Sequence, residues 1–136
     1  MAQILIVEDE ANIRRVLRKI LVDVDNNINV SEAVDGVEAI TMVDEKSYDL
    51  VLCDIKMPKK DGIEVLAHIQ KVSPQSAVVM ISGHGDFETA VKAMRMGAYD
   101  YISKPPDLHH LLQTVTAALQ RTPAPKKQTR KIAVPQ

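Results

Sequence analysis

The chain has 136 residues, 46% of them hydrophobic, which predicts one compact domain burying about two-thirds of its unfolded surface and excludes a two-domain enzyme. Lysine plus arginine number 17 against 18 acids, but residues 121–136 hold five cations and no acid, so residues 1–120 carry a net −6; with no tryptophan and 3% aromatics, that argues against nucleic-acid binding by this body. A single cysteine excludes an internal disulfide, the N-terminus lacks a secretion signal, and the longest apolar runs, of about five residues, fall far short of the roughly twenty that span a bilayer, so a cytoplasmic protein without membrane contact is expected.

Taken in chain order, the first strand is Ile4 to Val7. The helix after it sets Ile13, Val16, Leu17, Ile20 and Leu21 on one stripe and Arg14, Arg15, Arg18 and Lys19 on the wet face. A second strand around Asn29 to Ala33 leads through Asp35-Gly36 into a helix with Val37, Ile40 and Val43 inward. Leu50 to Cys53 form the third strand, and Asp61 is the expected cap of a helix burying Val65, Leu66, Ile69 and Val72 and stopped by Pro74. Ala77 to Ile81 are the fourth strand, followed by a helix near Asp86 to Met96 with Ala90, Val91 and Met94 inward and Gly97 as its stop. Tyr99 to Ile102 are the fifth strand, and the last helix carries Leu108, Leu111, Leu112, Val115 and Leu119. Strand-helix alternation of this kind predicts a parallel α/β sheet with helices on both faces over residues 1–120. Three prolines and five cations without periodicity predict a linker or tail over residues 121–136.

In an open parallel sheet ligands bind beyond the carboxyl ends of the strands, where the strand order reverses. The first strand runs into Glu8-Asp9, the third into Asp54, the fourth into Ser82 and the fifth into Lys104. Three carboxylates about 4 to 5 Å apart repel by roughly 3 to 4 kcal/mol per pair at an effective dielectric near 20, so a positive group is required among them. Oxygen ligands without His or Cys favour Mg²⁺, or Mn²⁺, over zinc. An Asp beside such an ion, an ammonium and a hydroxyl can accept a phosphoryl group. Asp54 is the candidate nucleophile. Asp9 and Asp54 are assigned to the metal, Glu8 to it directly or through water, Lys104 to a phosphoryl oxygen and Ser82 to a hydrogen bond. A phosphoryl group adds roughly −2 charge, so Ser82 and Lys104 should favour the modified state, and that difference can drive a switch.

Over residues 3–120 the chain resembles a bacterial two-component response-regulator receiver domain of the CheY-like kind. The resemblance rests on Leu5-Ile6-Val7-Glu8-Asp9-Glu10, on Asp54-Ile55-Lys56-Met57-Pro58 through Asp61-Gly62, on Ser82-Gly83 and on Lys104-Pro105. It implies a flavodoxin-like, doubly wound sheet of five parallel strands in order 2-1-3-4-5 and a cis peptide before Pro105. It further implies that Asp54 takes a phosphoryl group from a sensor histidine kinase, with Mg²⁺ held by Asp9, Asp54 and the Lys56 backbone carbonyl. Ser82 and Tyr101 would be the switch pair, remodelling a face built from the fourth helix, fifth strand and fifth helix. That face is the expected site for partners and for a homodimer. Lys56 and His84 would tune signal lifetime. The run from His84 to Val91 and from Gly97 to Tyr101 further resembles receivers of NtrC-type transcription activators, which implies an output domain after residue 120. Glu8 stands where such receivers more often have Asp.

The competing reading is a phosphatase or phosphotransferase with an aspartyl-phosphate intermediate. Haloacid-dehalogenase-type motifs need a second Asp two residues after the nucleophile, and here that position is Lys56. The receiver reading therefore leads: a module that catalyses its own modification and turns over no external substrate. Cys53 is expected to be a small buried hydrophobe, and His68, His109 and His110 to be solvated.

Overall fold

All five apolar runs become strands of one parallel sheet. The computed structural model describes residues 1–83 and 87–121. In chain order these form β1 (Ala2–Val7), α1 (Ala11–Val24), β2 (Ile28–Ala33), α2 (Gly36–Glu45), β3 (Leu50–Asp54), α3 (Gly62–Val72), β4 (Ala77–Ser82), α4 (Phe87–Arg95), β5 (Asp100–Ser103) and α5 (Leu108–Gln120). The strand order is β2-β1-β3-β4-β5, every pairing is parallel, and the Lys104–Pro105 peptide is cis. The chain leaves β1 toward one edge and returns to lay β3 on the other side of it. The order therefore reverses between β1 and β3, which opens a crevice above their carboxyl ends.

Alternation along each strand divides the interior in two. Leu5, Val7, Val51, Cys53, Val78 and Met80 face α2, α3 and α4, while Ile4, Ile6, Leu50, Leu52, Val79 and Ile81 face α1 and α5. The central strands are covered on both sides, which is why they read as unbroken apolar runs.

The helical stripes are narrower than periodicity predicts. Val16, Val37, Val72, Met94 and Leu108 are all exposed, and Ala39, Ala93, Thr114 and Ala118 take up buried helix positions. Small side chains let a helix approach the sheet closely, and the larger residues at the stripe's edge are left on the flank. Asp61 caps α3 through a reciprocal pair: its carboxylate accepts from the Glu64 N–H at 3.0 Å, and Glu64 accepts from the Asp61 N–H at 3.1 Å. Gly97, at φ 107°, ends the α4 segment in the left-handed region that favours glycine. Arg121 packs on the folded body, its guanidinium donating to the Gln75 carbonyl at 2.8 Å. Cys53 is fully buried, and burial, helped by the nearby Asp54 charge, holds its thiol far above the usual range. His68 departs from the solvated expectation: it is half-buried and its Nε2 lies 2.7 Å from Asp44 Oδ1, joining α3 to α2.

Gly62 sets the position of the nucleophile's own backbone. A Cβ placed there would lie 2.2 Å from the Asp54 carbonyl oxygen and 2.7 Å from the Ile55 Cα, because α3 begins tight beneath the end of β3. The Gly62 N–H donates to the Ile55 carbonyl at 2.7 Å. Gly62→Ala is therefore expected to destabilise the fold by about 1–3 kcal/mol through overpacking. Urea unfolding measures this, and an unchanged midpoint would mean that the β3–α3 loop yields without strain.

Candidate functional site

Sheet register brings the strand-end residues together. Val7 pairs with Cys53, so Glu8 and Asp54 leave adjacent strands at one level. Asp54 pairs with Ile81, so Ser82 follows beside it, and Ser82 pairs with Ser103, so Lys104 comes next. Main-chain bonds hold this stagger: the Ile55 N–H donates to Ile81 O at 3.1 Å, and the Lys104 N–H to Ser82 O at 2.7 Å.

The Lys104 ammonium lies 3.0 Å from Glu8 Oε1 and 3.2 Å from Asp54 Oδ2, bridging the two carboxylates. Glu8 is 1% exposed and Asp54 5%, whereas Asp9 is exposed at the crevice mouth. Burial raises the Glu8 carboxyl above its ordinary value. The Glu10 N–H and Lys104 oppose that shift, and the Asp54 charge adds to it. Burial likewise raises Asp54, against the pull of Lys104 and with the Asp9 charge adding. For Lys104 burial acts downward, but the hydrogen bond and charge of Glu8 and the charge of Asp54 outweigh it and raise its value. One ammonium thus serves two buried acids, with the Asp9 charge close by, and their desolvation is incompletely offset.

Glu8, Asp9 and Asp54 each present an oxygen, and these atoms lie within 4.8 Å of one another. The donors are all carboxylate oxygens, those of Glu8 and Asp54 buried and that of Asp9 exposed, and the three carboxylates with the Lys104 ammonium leave a net −2. That chemistry fits a hard divalent ion such as Mg²⁺ and does not fit zinc. The Lys56 backbone N–H lies near enough to the Asp54 carboxylate to pull its value down, so the β3–α3 loop approaches the site from a third side.

Of the residues singled out in the sequence, Glu8, Asp9, Asp54, Ser82 and Lys104 gather in one crevice, with Lys56 at its edge. The Ser82 side chain is fully buried, and its hydroxyl donates to the Gly83 carbonyl at 3.4 Å. Tyr101 lies apart from the cluster, half-buried beside Phe87, Val91 and Met94 of α4. His84 lies outside the described residues, as do residues 122–136. Periodicity placed Arg14 on the wet face of α1, yet its side chain is only 16% exposed and donates to the Glu8 carbonyl at 2.8 Å. A signal was present, since Glu32 offers an acid on the neighbouring strand, but pairing across 18 positions requires the β1–β2 register.

Comparison with known proteins agrees with this geometry. The family model described as the response regulator receiver domain matches residues 4–116. The chain is 37% identical over 119 residues to the transcriptional regulatory protein ZraR of Salmonella typhimurium, covering 88% of this chain and 26% of that one. It is 41% identical over 107 residues to a putative NtrX-like response regulator of Rickettsia bellii, covering 77% and 22%. The crystal structure of the receiver domain of NtrX from Brucella abortus superposes with a TM-score of 0.81 at 39% identity, covering 88% of this chain and 99% of that one. The chain thus spans about a quarter of the length of the curated relatives it matches. Among the described residues, no helix is long and apolar enough to cross a membrane.

Proposed function

This chain belongs to the response regulator receiver domain family, and from that premise we propose that Asp54 is its phosphoryl acceptor, served by a divalent cation at Glu8, Asp9 and Asp54 and by Lys104. The observation that carries the reading is the single ammonium of Lys104 shared between Glu8 and Asp54, next to the exposed Asp9. A sensor histidine kinase supplies the group. An Asp54 carboxylate oxygen attacks the phosphorus of the phosphohistidine, the P–N bond breaks as the P–O bond forms, and the electron pair returns to the imidazole. Burial supports this role by stripping water from the nucleophile, and ionisation is kept within reach by Lys104 and the Lys56 N–H.

Mg²⁺ held by Glu8, Asp9, Asp54 and the Lys56 carbonyl would supply positive charge to the phosphoryl oxygens. Once Asp54 carries the group as an acyl phosphate, one carboxylate charge is replaced by a phosphoryl group of roughly −2, and Lys104 gains a stronger partner than it has in the unmodified state. Ser82, one residue from the Asp54–Ile81 pair, supplies the hydroxyl on the adjacent strand. Its movement toward the phosphoryl group would free Tyr101 to follow, altering the face of α4, β5 and α5. That face is the proposed site for partner docking and homodimerisation, with Lys56 and His84 setting access of the hydrolytic water. The full-length relatives support an output domain joined beyond this span, through which transcription is controlled. The module modifies itself and turns over no external substrate. An aspartyl-phosphate phosphatase is not favoured, since Lys56 holds the position where such an enzyme needs its second Asp.

Incubation with Mg²⁺ and a small acyl-phosphate donor tests this by intact mass. One labile phosphoryl adduct is expected, located by peptide mapping to the segment containing Asp54 and suppressed when a chelator removes the metal. Absence of an adduct, an adduct elsewhere, or continued phosphate release from unrelated monoesters would overturn the reading.

A further inference from the structure

Every polar atom of Glu8 is engaged. Its main-chain N–H donates to the Ala33 carbonyl at 3.1 Å, one carboxylate oxygen accepts from the Glu10 N–H at 3.1 Å, and the other lies 3.0 Å from Lys104. Its carbonyl accepts from an Arg14 terminal nitrogen at 2.8 Å. That carbonyl belongs to the Glu8–Asp9 peptide, so the bond fixes the orientation of the turn from which the Asp9 carboxylate projects. Arg14 sits in the first turns of α1, with its own N–H donating to Glu10 O at 3.0 Å. Its guanidinium therefore reaches back under the turn that its helix follows.

A cation in that place should hinder a divalent ion nearby. Here it is offset: Arg14 Nε lies 3.0 Å from Glu32 Oε1, and the second Glu32 oxygen is 2.7 Å from an Arg18 terminal nitrogen. Glu32 thus balances charge on one edge of the guanidinium while the other edge donates to Glu8. We propose that Arg14 is a positioning residue for the metal-binding turn, holding the Glu8–Asp9 peptide so that both carboxylates converge with Asp54. This rests on the proposed metal site above and adds to it a residue that touches neither metal nor phosphoryl group. The guanidinium reaches its two acceptors through different nitrogens held at a fixed angle, Nε toward Glu32 and a terminal nitrogen toward the Glu8 carbonyl, a geometry an ammonium does not preset.

The sign of one measurement separates positioning from charge. If Arg14 acted through its charge alone, Arg14→Met would tighten Mg²⁺ binding by removing repulsion. Positioning predicts the reverse, a loss of about tenfold or more in Mg²⁺ affinity, the size typical when an outer partner of a metal ligand is removed. Titration calorimetry on the full chain with MgCl₂ alone reads this without phosphorylation, and amide shifts of residues 8–10 in the metal-free protein should move in the same variant. Arg14→Lys should bind at an intermediate affinity, and it carries the test if the Met variant does not fold. Arg18→Met, which removes the other partner of Glu32 and leaves Glu8 untouched, should bind as wild type. Unchanged or tighter binding in Arg14→Met, or an equal loss in Arg18→Met, would overturn the inference. Absence of Mg²⁺ binding by the wild-type chain would instead overturn the metal site itself.

Discussion

Asp54→Asn is expected to make the metal-free protein more stable than wild type, by about 1–2 kcal/mol, and to remove phosphoryl acceptance altogether. Both effects come from one carboxylate. Without metal, Glu8 and Asp54 share the Lys104 ammonium with the exposed Asp9 charge nearby, and burial leaves the Asp54 charge poorly solvated. The amide that replaces it keeps an oxygen facing Lys104 and drops the charge. Because Glu8 and Asp54 bind protons more tightly in the fold than their ordinary values of 4.5 and 3.8, wild-type stability should fall as pH rises through the raised values. The variant should lose less over that window. Mg²⁺ bound at the proposed site should invert the ranking: at 100 times its dissociation constant it would stabilise wild type by about 2.7 kcal/mol, and much less when one of its ligands is an amide. Urea unfolding with and without MgCl₂ should therefore show the two curves exchanging places. If Asp54→Asn were less stable in both conditions, the carboxylate would be serving as a structural partner of Lys104 and not as an acceptor held ready.

Lys104→Met should have the opposite effect on the metal-free fold, a loss of about 3 kcal/mol near neutral pH, since it removes the one cation between two buried carboxylates. That loss should shrink as pH falls. Without Lys104 the Glu8 and Asp54 carboxyls rise further, each proton taken up relieves the repulsion, and stability recovers below the raised values. A deficit independent of pH would point to lost packing of the lysine stem instead. Function should separate from stability in the same variant. The acyl-phosphate adduct should still form in Mg²⁺, but amide exchange in residues 87–103 should respond to phosphorylation far less than in wild type. In the proposed mechanism Lys104 is the group that senses the change from carboxylate to phosphoryl. An undiminished response would move the sensing role to Ser82.

Much of the site was legible in the sequence because its residues are adjacent to strand ends. An apolar run that stops in an acid, a hydroxyl or an ammonium reports its own carboxyl end, and the parallel architecture puts all such ends on one side. Asp54, Asp9, Glu8, Ser82 and Lys104 were therefore identifiable before any distance was known. Asp61 and Gly97 were legible for a similar reason, since caps and left-handed stops act on their immediate neighbours.

The local pattern by itself determined the alternation of strands and helices, the acidic body, and which residue types meet above the sheet. Tertiary structure alone decided which atoms pair: Lys104 with both Glu8 and Asp54, Arg14 with the Glu8 carbonyl and Glu32, and His68 with Asp44. It also decided that Ala39, Ala93 and Ala118 are buried while Val16, Val37 and Met94 are not. The physical reason is that periodicity reports the side of an element that is apolar, over a few residues, whereas pairing and burial depend on register between strands and on how closely a helix can approach the sheet, both set by residues distant in sequence.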